Sequence, residues 1–422
     1  PLPQIVDDDG SPPKAPAPKS GAAWPRAILH ADLDAFFATA EIARRPALKG
    51  LPVIVGGRKG GRGVVCAASY PARVYGIRSG ISIVEAERRC PHAVFLSVDG
   101  AYYGDLARRF RAILLSYSPL VQMTGPDEAA IDVTGMERVS GVPELIALDI
   151  RRRVREELSL IVSIGLATGR TTAKIAAKTA KPDGFRAIPP GKEEAFLAPL
   201  PVAAMPGIGP ATERALHGIA VRTLGELARV PEGQLRALFG DLGPALARHA
   251  RGEDDTPLVI GHVMKSVGHE HTLRENTRDR MLLRATLAIL CDETAAELRA
   301  HDRAARVVAL RLRDGHFRSV GMQTTISPVT NAQQVLLDAA WALFDPCLAR
   351  LGYAPVRLIG VRAAGLGTGG AQLTLLSDRP ERLYRINDAL DAVRARHGKN
   401  ALRPALALLA GGWRDSPPPD AE

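Results

Sequence analysis

The chain has 422 residues, 46% of them hydrophobic, which is enough for about two to four domains. A membrane protein is not expected, because no apolar run approaches the roughly 18 residues of a span, and the N-terminus lacks the order of a secretory signal. The four cysteines form no CxxC pair, which argues against a zinc site or a disulfide framework and favours a reducing cytoplasm. A net charge of +10 favours a polyanionic partner.

The first half of the chain predicts a disordered tail followed by an α+β or α/β unit. Residues 1–25 are rich in proline and poor in apolar side chains, so they cannot repay the entropy of folding. From residue 26 to about residue 189, strand-like runs such as LPVIVGG and LIVSIGLAT alternate with helical stretches such as DLARRFRAILLSY.

The second half predicts a helical region, a further α/β unit and a flexible end. Residues 190–255 are helical and punctuated by Gly and Pro, and residues 256–264 look like a connector. Residues 265–365 contain two alternating runs that meet at Asp314-Gly315, which is a hairpin pattern. Residues 366–422 predict a flexible segment that includes an amphipathic helix with an apolar stripe of Leu383, Ile386, Leu390 and Val393.

Two aspartates interrupt the apolar run ILHADLDAFF near the start of the α+β unit. Residues two apart on a strand share a face, so Asp32 and Asp34 point to one side and Leu33 to the other. An isolated pair of this kind most often caps the following helix. A second acidic site would favour a cation site instead.

That second site is the Asp127-Glu128 pair within LVQMTGPDEAAIDVTG. Adjacent strand residues face opposite ways, so both carboxylates reach one ion only if the backbone bends, and Gly125 and Pro126 can supply the bend. Burying three carboxylates side by side is costly unless cations neutralise them, and oxygen ligands suit magnesium. Two such ions about 4 Å apart form a phosphoryl-transfer site.

Six stretches occur in the order found in one enzyme family, and the resemblance that they carry covers roughly residues 27–376. They are HADLDAFFATAE, GVVCAASYPARVYGIRSGISIVEAERRCP, DEAAIDVTG, IGLATGRTTAKIAAKTAKPDGF, MPGIGPATERAL and KSVGHEHT. By these stretches the chain resembles the Y-family DNA polymerases of the bacterial DinB type. The resemblance implies a template-directed, low-fidelity polymerase that copies damaged DNA, acting as a cytoplasmic, nucleoid-associated monomer on primer-template DNA and deoxynucleoside triphosphates.

The fold implied by the resemblance is an α+β multi-domain fold shaped like a right hand. Its parts are a ferredoxin-like palm (residues 26–37 and 96–189), small fingers (38–95), a helical thumb with a helix-hairpin-helix (190–255), a linker (256–264), an α/β little finger (265–365) and a flexible C-terminal segment (366–422).

The same resemblance assigns catalysis to Asp32, Asp127 and Glu128. With the backbone carbonyl of Leu33 they are expected to hold two Mg²⁺ ions, for which Mn²⁺ can substitute. One ion makes the primer 3′-hydroxyl more acidic for attack on the α-phosphorus, and the other steadies the departing pyrophosphate.

The nucleotide pocket is expected to include five further residues. Paired aromatics usually pack in a core, but the resemblance places Phe36 and Phe37 at the nucleotide, with Phe37 as a steric gate that leaves no room for a ribose 2′-hydroxyl. Tyr70, Arg73 and Lys181 are assigned to the β and γ phosphates, although exposed Arg and Lys are more often ordinary surface residues.

Two regions are expected to grip DNA. Gly207, Ile208 and Gly209 precede a helix whose free amides can meet a phosphate, as in a helix-hairpin-helix. The little-finger hairpin carries arginines without interleaved acids, which favours a DNA-facing sheet; they are Arg311, Arg313 and Arg318.

The segment after the little finger resembles the family's sliding-clamp-binding peptide. Its residues are Gln372, Leu373, Leu375 and Leu376. A short string of this composition is also common by chance.

The chain departs from the family pattern beside its site residues, which leaves other functions open. Gly125 and Pro126 precede the acidic pair where a Ser and an apolar residue are usual, Ala67 and Ser69 replace Thr and Asn, and Gly169-Arg170 replaces Asn-Lys. One alternative is a catalytically impaired relative that serves as a DNA-binding accessory subunit. Another is a nucleotidyl cyclase, which would not need the glycine-rich hairpin or the arginine-bearing third unit.

Overall fold

The computed structural model describes residues 24–261, 264–368, 379–398 and 401–410, without the side chains of residues 379–384 and 410. The chain divides into two compact units between residues 261 and 262. Within the described residues, every helix is too short or too polar to cross a membrane.

The first unit contains eight strands and twelve α-helices among its described residues. The strands are β1 (Ile28–Leu33), β2 (Val53–Gly56), β3 (Val65–Ala68), β4 (Val94–Ser97), β5 (Val121–Met123), β6 (Glu128–Asp132), β7 (Val162–Ala167) and β8 (Phe185–Ala187). The helices are α1 (Phe36–Arg44), α2 (Tyr70–Val74), α3 (Ile83–Arg89), α4 (Gly100–Leu115), α5 (Glu137–Ser140), α6 (Pro143–Leu158), α7 (Arg170–Ala180), α8 (Glu193–Leu197), α9 (Pro210–Gly218), α10 (Leu224–Arg229), α11 (Glu232–Phe239) and α12 (Leu242–Ala250).

A five-stranded sheet in the order β5-β6-β1-β7-β8 forms the centre of this unit. β1 is the middle strand and pairs antiparallel with both β6 and β7. Its side chains are therefore enclosed on both faces, which explains why its sequence reads as a nearly continuous apolar run. The two aspartates lie at the end of this buried strand, where they are held by a rigid scaffold.

Helices α4, α6 and α7 cover the sheet. On α6 the buried residues recur at helical spacing, which is the pattern that predicts an amphipathic helix; they include Ile146, Ile150, Val154 and Leu158. Helix α7 lies directly on β7 because Gly165 has no side chain: a Cβ there would be 2.0 Å from the carbonyl oxygen of Ala173. This close approach sets the position of the lysines that α7 carries towards the end of β1.

Trp24, which the sequence assigns to the disordered tail, is only 8% exposed. Its indole nitrogen donates a hydrogen bond of 2.9 Å to Glu144 at the start of α6. Pro25, the last residue of the predicted tail, is exposed.

A second, three-stranded sheet in the order β3-β2-β4 forms the region predicted as fingers. Its own apolar cluster includes Ile54, Val65, Ile77 and Ile83. Helix α2 follows β3 directly, so Tyr70 and Arg73 are carried on the end of this sheet.

Helices α8 to α12 enclose a separate apolar cluster that includes Leu216, Leu224, Leu227, Leu235 and Leu246. The glycine-rich stretch before α9 makes a turn in which Gly207 has a φ of 92°, a conformation that side chains other than glycine rarely adopt. Gly209 then serves as the N-cap of α9, and Pro210 occupies its first position.

The N-terminus of α7 is capped from a distant part of the chain. Its N-cap residue is Gly169, which has no side chain to accept a hydrogen bond. Asp254 supplies the acceptor, because its Oδ2 receives the amide and the hydroxyl of Thr171, each at 2.8 Å. A Cβ on Gly169 would lie 2.9 Å from the Cβ of Asp254, so glycine is what allows the carboxylate to approach.

The second unit contains five strands and four α-helices among its described residues. In chain order they are β9 (Ser266–Thr277), α13 (Arg280–Ala300), β10 (Arg303–Asp314), β11 (Ser319–Thr330), α14 (Gln333–Ala342), α15 (Phe344–Arg350), β12 (Val356–Ala364), β13 (Gly367–Thr368) and α16 (Arg379–His397). The sheet order is β11-β10-β12-β9, and the predicted hairpin is the β10–β11 pair. Leu310 and Leu312 are buried in the core of this unit, whereas the intervening Arg311 is exposed.

Part of the segment predicted to be flexible is helical. Arg299 of α13 pairs with Asp391 of α16 at 2.6 Å, and Arg394 of α16 pairs with Asp292 at 2.8 Å. Asn387 is also buried on this face, whereas Ile386 of the predicted apolar stripe is 48% exposed. Helix α16 therefore meets α13 through charged residues, while Leu390 and Val393 of the predicted stripe are half-buried.

Candidate active site

The antiparallel register of β1 and β6 brings the first and second acidic sites together. Asp32 lies directly opposite Glu128, and the amide of the next residue, Leu33, donates to the carbonyl of Asp127 at 2.9 Å. The turn that the sequence predicts before Asp127 is present, because the amides of Thr124 and Gly125 both donate to the carbonyl of Glu128. Residues separated by almost a hundred positions thus meet at one end of the sheet.

A histidine that the sequence analysis missed joins this group. One ligand atom each from His30, Asp32 and Glu128 can be chosen so that all three lie within 4.8 Å of one another. His30 is 4% exposed, and its Nε2 lies 3.5 Å from Oε1 of Glu128. Burial lowers the pKa of His30 to about 4, so the ring is neutral at pH 7. The signal was available in the sequence, because His30 is two residues before Asp32 and shares its strand face.

Two lysines supply the positive charge beside these carboxylates. Lys181 Nζ lies 2.5 Å from Asp32 Oδ1, and Lys174 Nζ lies 2.5 Å from Glu128 Oε1. Thr124 also donates to Oε1 of Glu128, at 2.6 Å. Lys174 was not among the predicted site residues, although it stands seven positions before Lys181 and so two helical turns away.

The pKa values show how the three carboxylates differ. Burial raises the pKa of Asp32 despite the attraction of Lys181, and burial likewise raises the pKa of Asp127, with the charge of Glu128 adding to the effect. Burial alone would also raise the pKa of Glu128, but the hydrogen bonds from Lys174 and Thr124 outweigh it and lower that pKa. Two partly desolvated carboxylates of raised pKa are the groups that gain most from an added cation.

The donor set fits divalent cations of the magnesium type. The carboxylates of Asp32, Asp127 and Glu128 supply hard oxygen ligands, and His30 adds a neutral nitrogen that suits Mn²⁺ better than Mg²⁺. Asp34 does not take part, because it is 1% exposed and its Oδ2 accepts from the hydroxyl of Ser163 and the amide of Asp183.

The predicted phosphate-binding residues lie beside this group. Asp34 fixes the loop that follows Lys181, and Lys181 Nζ is 3.4 Å from Asp34 Oδ1. Burial raises the pKa of the Tyr70 hydroxyl, and the nearby charges of Asp34 and Asp32 raise it further. The guanidinium of Arg73 lies 4.8 Å from the centre of the Tyr70 ring. Lys181 and Tyr70 are thus close to Asp32, and Arg73 lies against the Tyr70 ring.

The two phenylalanines have different environments. The Phe36 side chain is buried in the core, so only its main chain can face a nucleotide. Phe37 is half-buried and stacks on Tyr103, with ring centroids 4.2 Å apart and an angle of 12° between the planes. The Tyr103 hydroxyl is anchored on Glu41 at 2.6 Å, which holds the stack in place.

In the second unit, the open face of the sheet carries basic side chains around small residues. Arg311 is opposite Gly321 and Gly360, which leaves a shallow depression lined partly by Arg362. Arg311 pairs with Glu270 at 3.0 Å, Arg313 donates to Ser319, and Arg318 is held by Asp314 in the hairpin turn. Arg362 was missed by the sequence analysis because it lies on β12, whose pairing with β10 the sequence does not reveal.

The predicted clamp-binding residues Gln372, Leu373, Leu375 and Leu376 lie outside the described residues. The other predicted site residues are all described. One end of the central sheet carries carboxylates with lysines beside them, and a glycine-rich turn precedes helix α9. These features together indicate a protein that acts on nucleic acid or nucleotides.

Comparison with known proteins identifies the family. Residues 31–178 match the model of the impB/mucB/samB family, residues 264–375 match the C-terminal domain of that family, and residues 190–219 match its helix-hairpin-helix motif. A DNA polymerase IV of Dehalococcoides mccartyi is 39% identical over 373 residues, covering 88% of this chain and 95% of the relative.

Solved structures agree. A Y-family DNA polymerase chimera of Dbh and Dpo4 superposes with a TM-score of 0.72 at 25% identity, covering 80% of this chain and 98% of the chimera. An insertion ternary complex of Dbh DNA polymerase has the same identity and coverage with a TM-score of 0.57. The chain therefore belongs to the Y-family DNA polymerases and is a DNA-directed DNA polymerase. The right-hand-like fold expected from the sequence is confirmed.

Proposed function

We propose that the chain adds deoxynucleotides to a primer 3′ end by two-cation phosphoryl transfer and continues synthesis, at low fidelity, past damaged template bases. The observation that carries the proposal is the pairing of Asp32 with Glu128 beside Asp127, where burial raises the pKa of two of the three carboxylates. Two divalent cations bound there lower the pKa of the primer hydroxyl and neutralise the charge of the leaving pyrophosphate.

The protein's own residues position the reactants. Asp32 and Glu128 are held by paired strands, so their carboxylates keep one orientation. Lys181, Arg73 and the hydroxyl of Tyr70 bind the triphosphate, because Lys181 contacts Asp32, the Tyr70 hydroxyl lies near the charges of Asp32 and Asp34, and Arg73 lies against the Tyr70 ring. The main-chain carbonyl of Leu33 completes the oxygen ligands.

Phe37 selects the sugar. Its ring is held on Tyr103 and remains half-exposed, so it presents a flat apolar surface where the C2′ position of the incoming nucleotide lies. A 2′-hydroxyl at that surface would be both crowded and deprived of hydrogen-bond partners.

DNA is held without regard to sequence. The turn of Gly207, Ile208 and Gly209 offers the free amides of α9 to a backbone phosphate, and Arg311, Arg313, Arg318 and Arg362 supply cations on the second unit. We further propose that the palm, fingers, thumb and little finger have the boundaries predicted from the sequence. We also propose that the protein is a monomer associated with the nucleoid. It binds a sliding clamp through Gln372, Leu373, Leu375 and Leu376.

Replacing Arg311 with alanine is expected to weaken DNA binding at low salt and to reduce the slope of log affinity against log salt concentration by about one. The slope changes because a protein that makes one phosphate contact fewer releases one counterion fewer from the DNA when it binds. Fluorescence anisotropy with a labelled primer-template between 50 and 200 mM salt, roughly the range over which such slopes are resolved, measures it. Arg108, exposed on α4 and paired with Asp105, is the matched control. An unchanged slope for Arg311→Ala would remove this residue from the interface.

Primer extension on an abasic template tests the proposed function as a whole. With Mg²⁺ we expect nucleotide addition up to and beyond the lesion, and with EDTA none. A protein that binds the primer-template but adds no nucleotide with either Mg²⁺ or Mn²⁺ would be the accessory subunit considered above.

A further inference from the structure

The ammonium groups of two lysines in the first unit contact oxygen atoms of the carboxylates assigned to cation binding. We propose that Lys174 and Lys181 are built-in counter-ions of this carboxylate cluster, and that a divalent cation binds by displacing their ammonium groups from Glu128 and Asp32. The inference rests on the proposed cation site. It adds that the affinity of the site for a cation depends on displacing the lysine ammonium groups. It also gives a role in this exchange to Lys174, which was not among the predicted site residues.

The geometry distinguishes these pairs from ordinary surface ion pairs. Each ammonium nitrogen lies 2.5 Å from a carboxylate oxygen. The side chains of Lys181, Asp32 and Glu128 are only 20–23% exposed, and that of Lys174 is 39% exposed. Charges in such partly buried positions are screened less than those on the surface, so their mutual attraction and repulsion are correspondingly larger.

The charge balance gives the direction of the effect. The carboxylates of Asp32, Asp34, Asp127 and Glu128 carry four negative charges, because Asp34 also faces Lys181 at 3.4 Å, and the two lysines reduce the net charge to two negative. Removing either lysine leaves three negative charges. The carboxylates then repel one another more strongly when no metal is present, and they attract a divalent cation more strongly. The same substitution thus destabilises the metal-free protein and strengthens cation binding.

Lys181 also couples the cation to the nucleotide. In the absence of a cation the Lys181 ammonium is held by two carboxylates, with Nζ 2.5 Å from Asp32 Oδ1 and 3.4 Å from Asp34 Oδ1, and their attraction opposes its movement towards a triphosphate. A cation that displaces Lys181 from Asp32 frees it for the triphosphate. By linkage, nucleotide binding that draws Lys181 away must strengthen cation binding by the same factor.

Lys178 offers a matched control on the same helix. It follows Lys174 by one helical turn on α7 and is exposed, so its replacement changes the net charge of the protein equally without touching the carboxylates. A difference between Lys174→Met and Lys178→Met therefore reports the local contact rather than the overall charge.

The experiment measures Mn²⁺ binding by electron paramagnetic resonance in the absence of nucleotide and DNA. Asp127→Ala identifies the signal that belongs to the carboxylate site. We expect the dissociation constant for Mn²⁺ to fall about fivefold to tenfold in Lys174→Met and in Lys181→Met, and to stay unchanged in Lys178→Met. Melting temperatures taken in EDTA and in saturating Mg²⁺ give a second readout: the first two variants melt below the wild type in EDTA and recover in Mg²⁺.

The outcomes separate the inference from the proposed function. Unchanged Mn²⁺ affinity in both variants would overturn the counter-ion role while leaving the cation site intact. Weaker Mn²⁺ binding together with lower melting temperatures in both conditions would also overturn it, because the lysines would then act only in folding. Wild-type protein that shows no Mn²⁺ signal sensitive to Asp127→Ala would refute the cation site itself.

Discussion

Primer extension is expected to fall at least about a thousandfold when Asp127 is replaced with alanine, while DNA binding changes by less than about twofold. Asp127 lies in the turn between β5 and β6, beside Asp32 and Glu128, and its pKa is raised by burial. Removing its carboxylate takes away an oxygen ligand without enlarging a packed core. The substitution is therefore expected to slow the chemical step without destabilising the fold.

The measurement is the single-turnover rate of adding one nucleotide at saturating dNTP and Mg²⁺, with DNA affinity determined in parallel. Asp105→Ala is the control, because Asp105 is exposed on α4 and forms only a surface ion pair with Arg108. A normal rate for Asp127→Ala would remove this residue from catalysis. A lost rate accompanied by lost DNA binding would indicate a folding defect instead.

The second large effect concerns the sugar of the incoming nucleotide. Phe37→Ala is expected to raise the efficiency of ribonucleotide incorporation relative to deoxynucleotide incorporation by roughly a hundredfold, because it removes the ring that we propose excludes the 2′-hydroxyl. The ratio of kcat/KM for a matched ribonucleotide and deoxynucleotide, opposite the same template base, measures the change.

Phe37→Tyr is the informative companion. It keeps the ring on Tyr103, whose hydroxyl is anchored on Glu41, and so preserves the steric exclusion. We expect it to discriminate like the wild type, and Phe37→Ala to retain deoxynucleotide addition. If both variants select sugars as the wild type does, the ring of Phe37 is not part of the sugar pocket.

Much of the architecture followed from local patterns in the sequence. The run ILHADLD predicts a strand whose end carries two acids, and β1 is the central strand of its sheet. The spacing of apolar residues after Val142 predicts a helix, and α6 begins at Pro143. The alternating runs around Asp314 predict a hairpin, which β10 and β11 form. In the helix and the hairpin a period of about 3.6 or of two indicates the face that must be buried, whereas the nearly continuous apolar run of β1 indicates a strand buried on both faces.

What the sequence could not show depends on contacts between distant residues. No local pattern indicates that Lys174 reaches Glu128, because the contact requires α7 to lie against β7 at Gly165. Arg362 joins the open face of the second unit only through the register of β12 with β10. The charged contacts of α16 could not be predicted for a related reason, because their partners on α13, Arg299 and Asp292, are distant in the sequence.

The carboxylate that caps α7 limits how short the catalytic region can be made. Asp254 follows α12, its side chain accepts from Thr171, and Arg26 donates to the main-chain carbonyls of Asp254 and Thr256, so residues 254–256 are held from two sides. A polymerase core trimmed at Gly252 would keep every helix of the first unit yet leave the amide of Thr171 without its acceptor. The smallest fragment that retains a properly seated α7 must extend through Thr256.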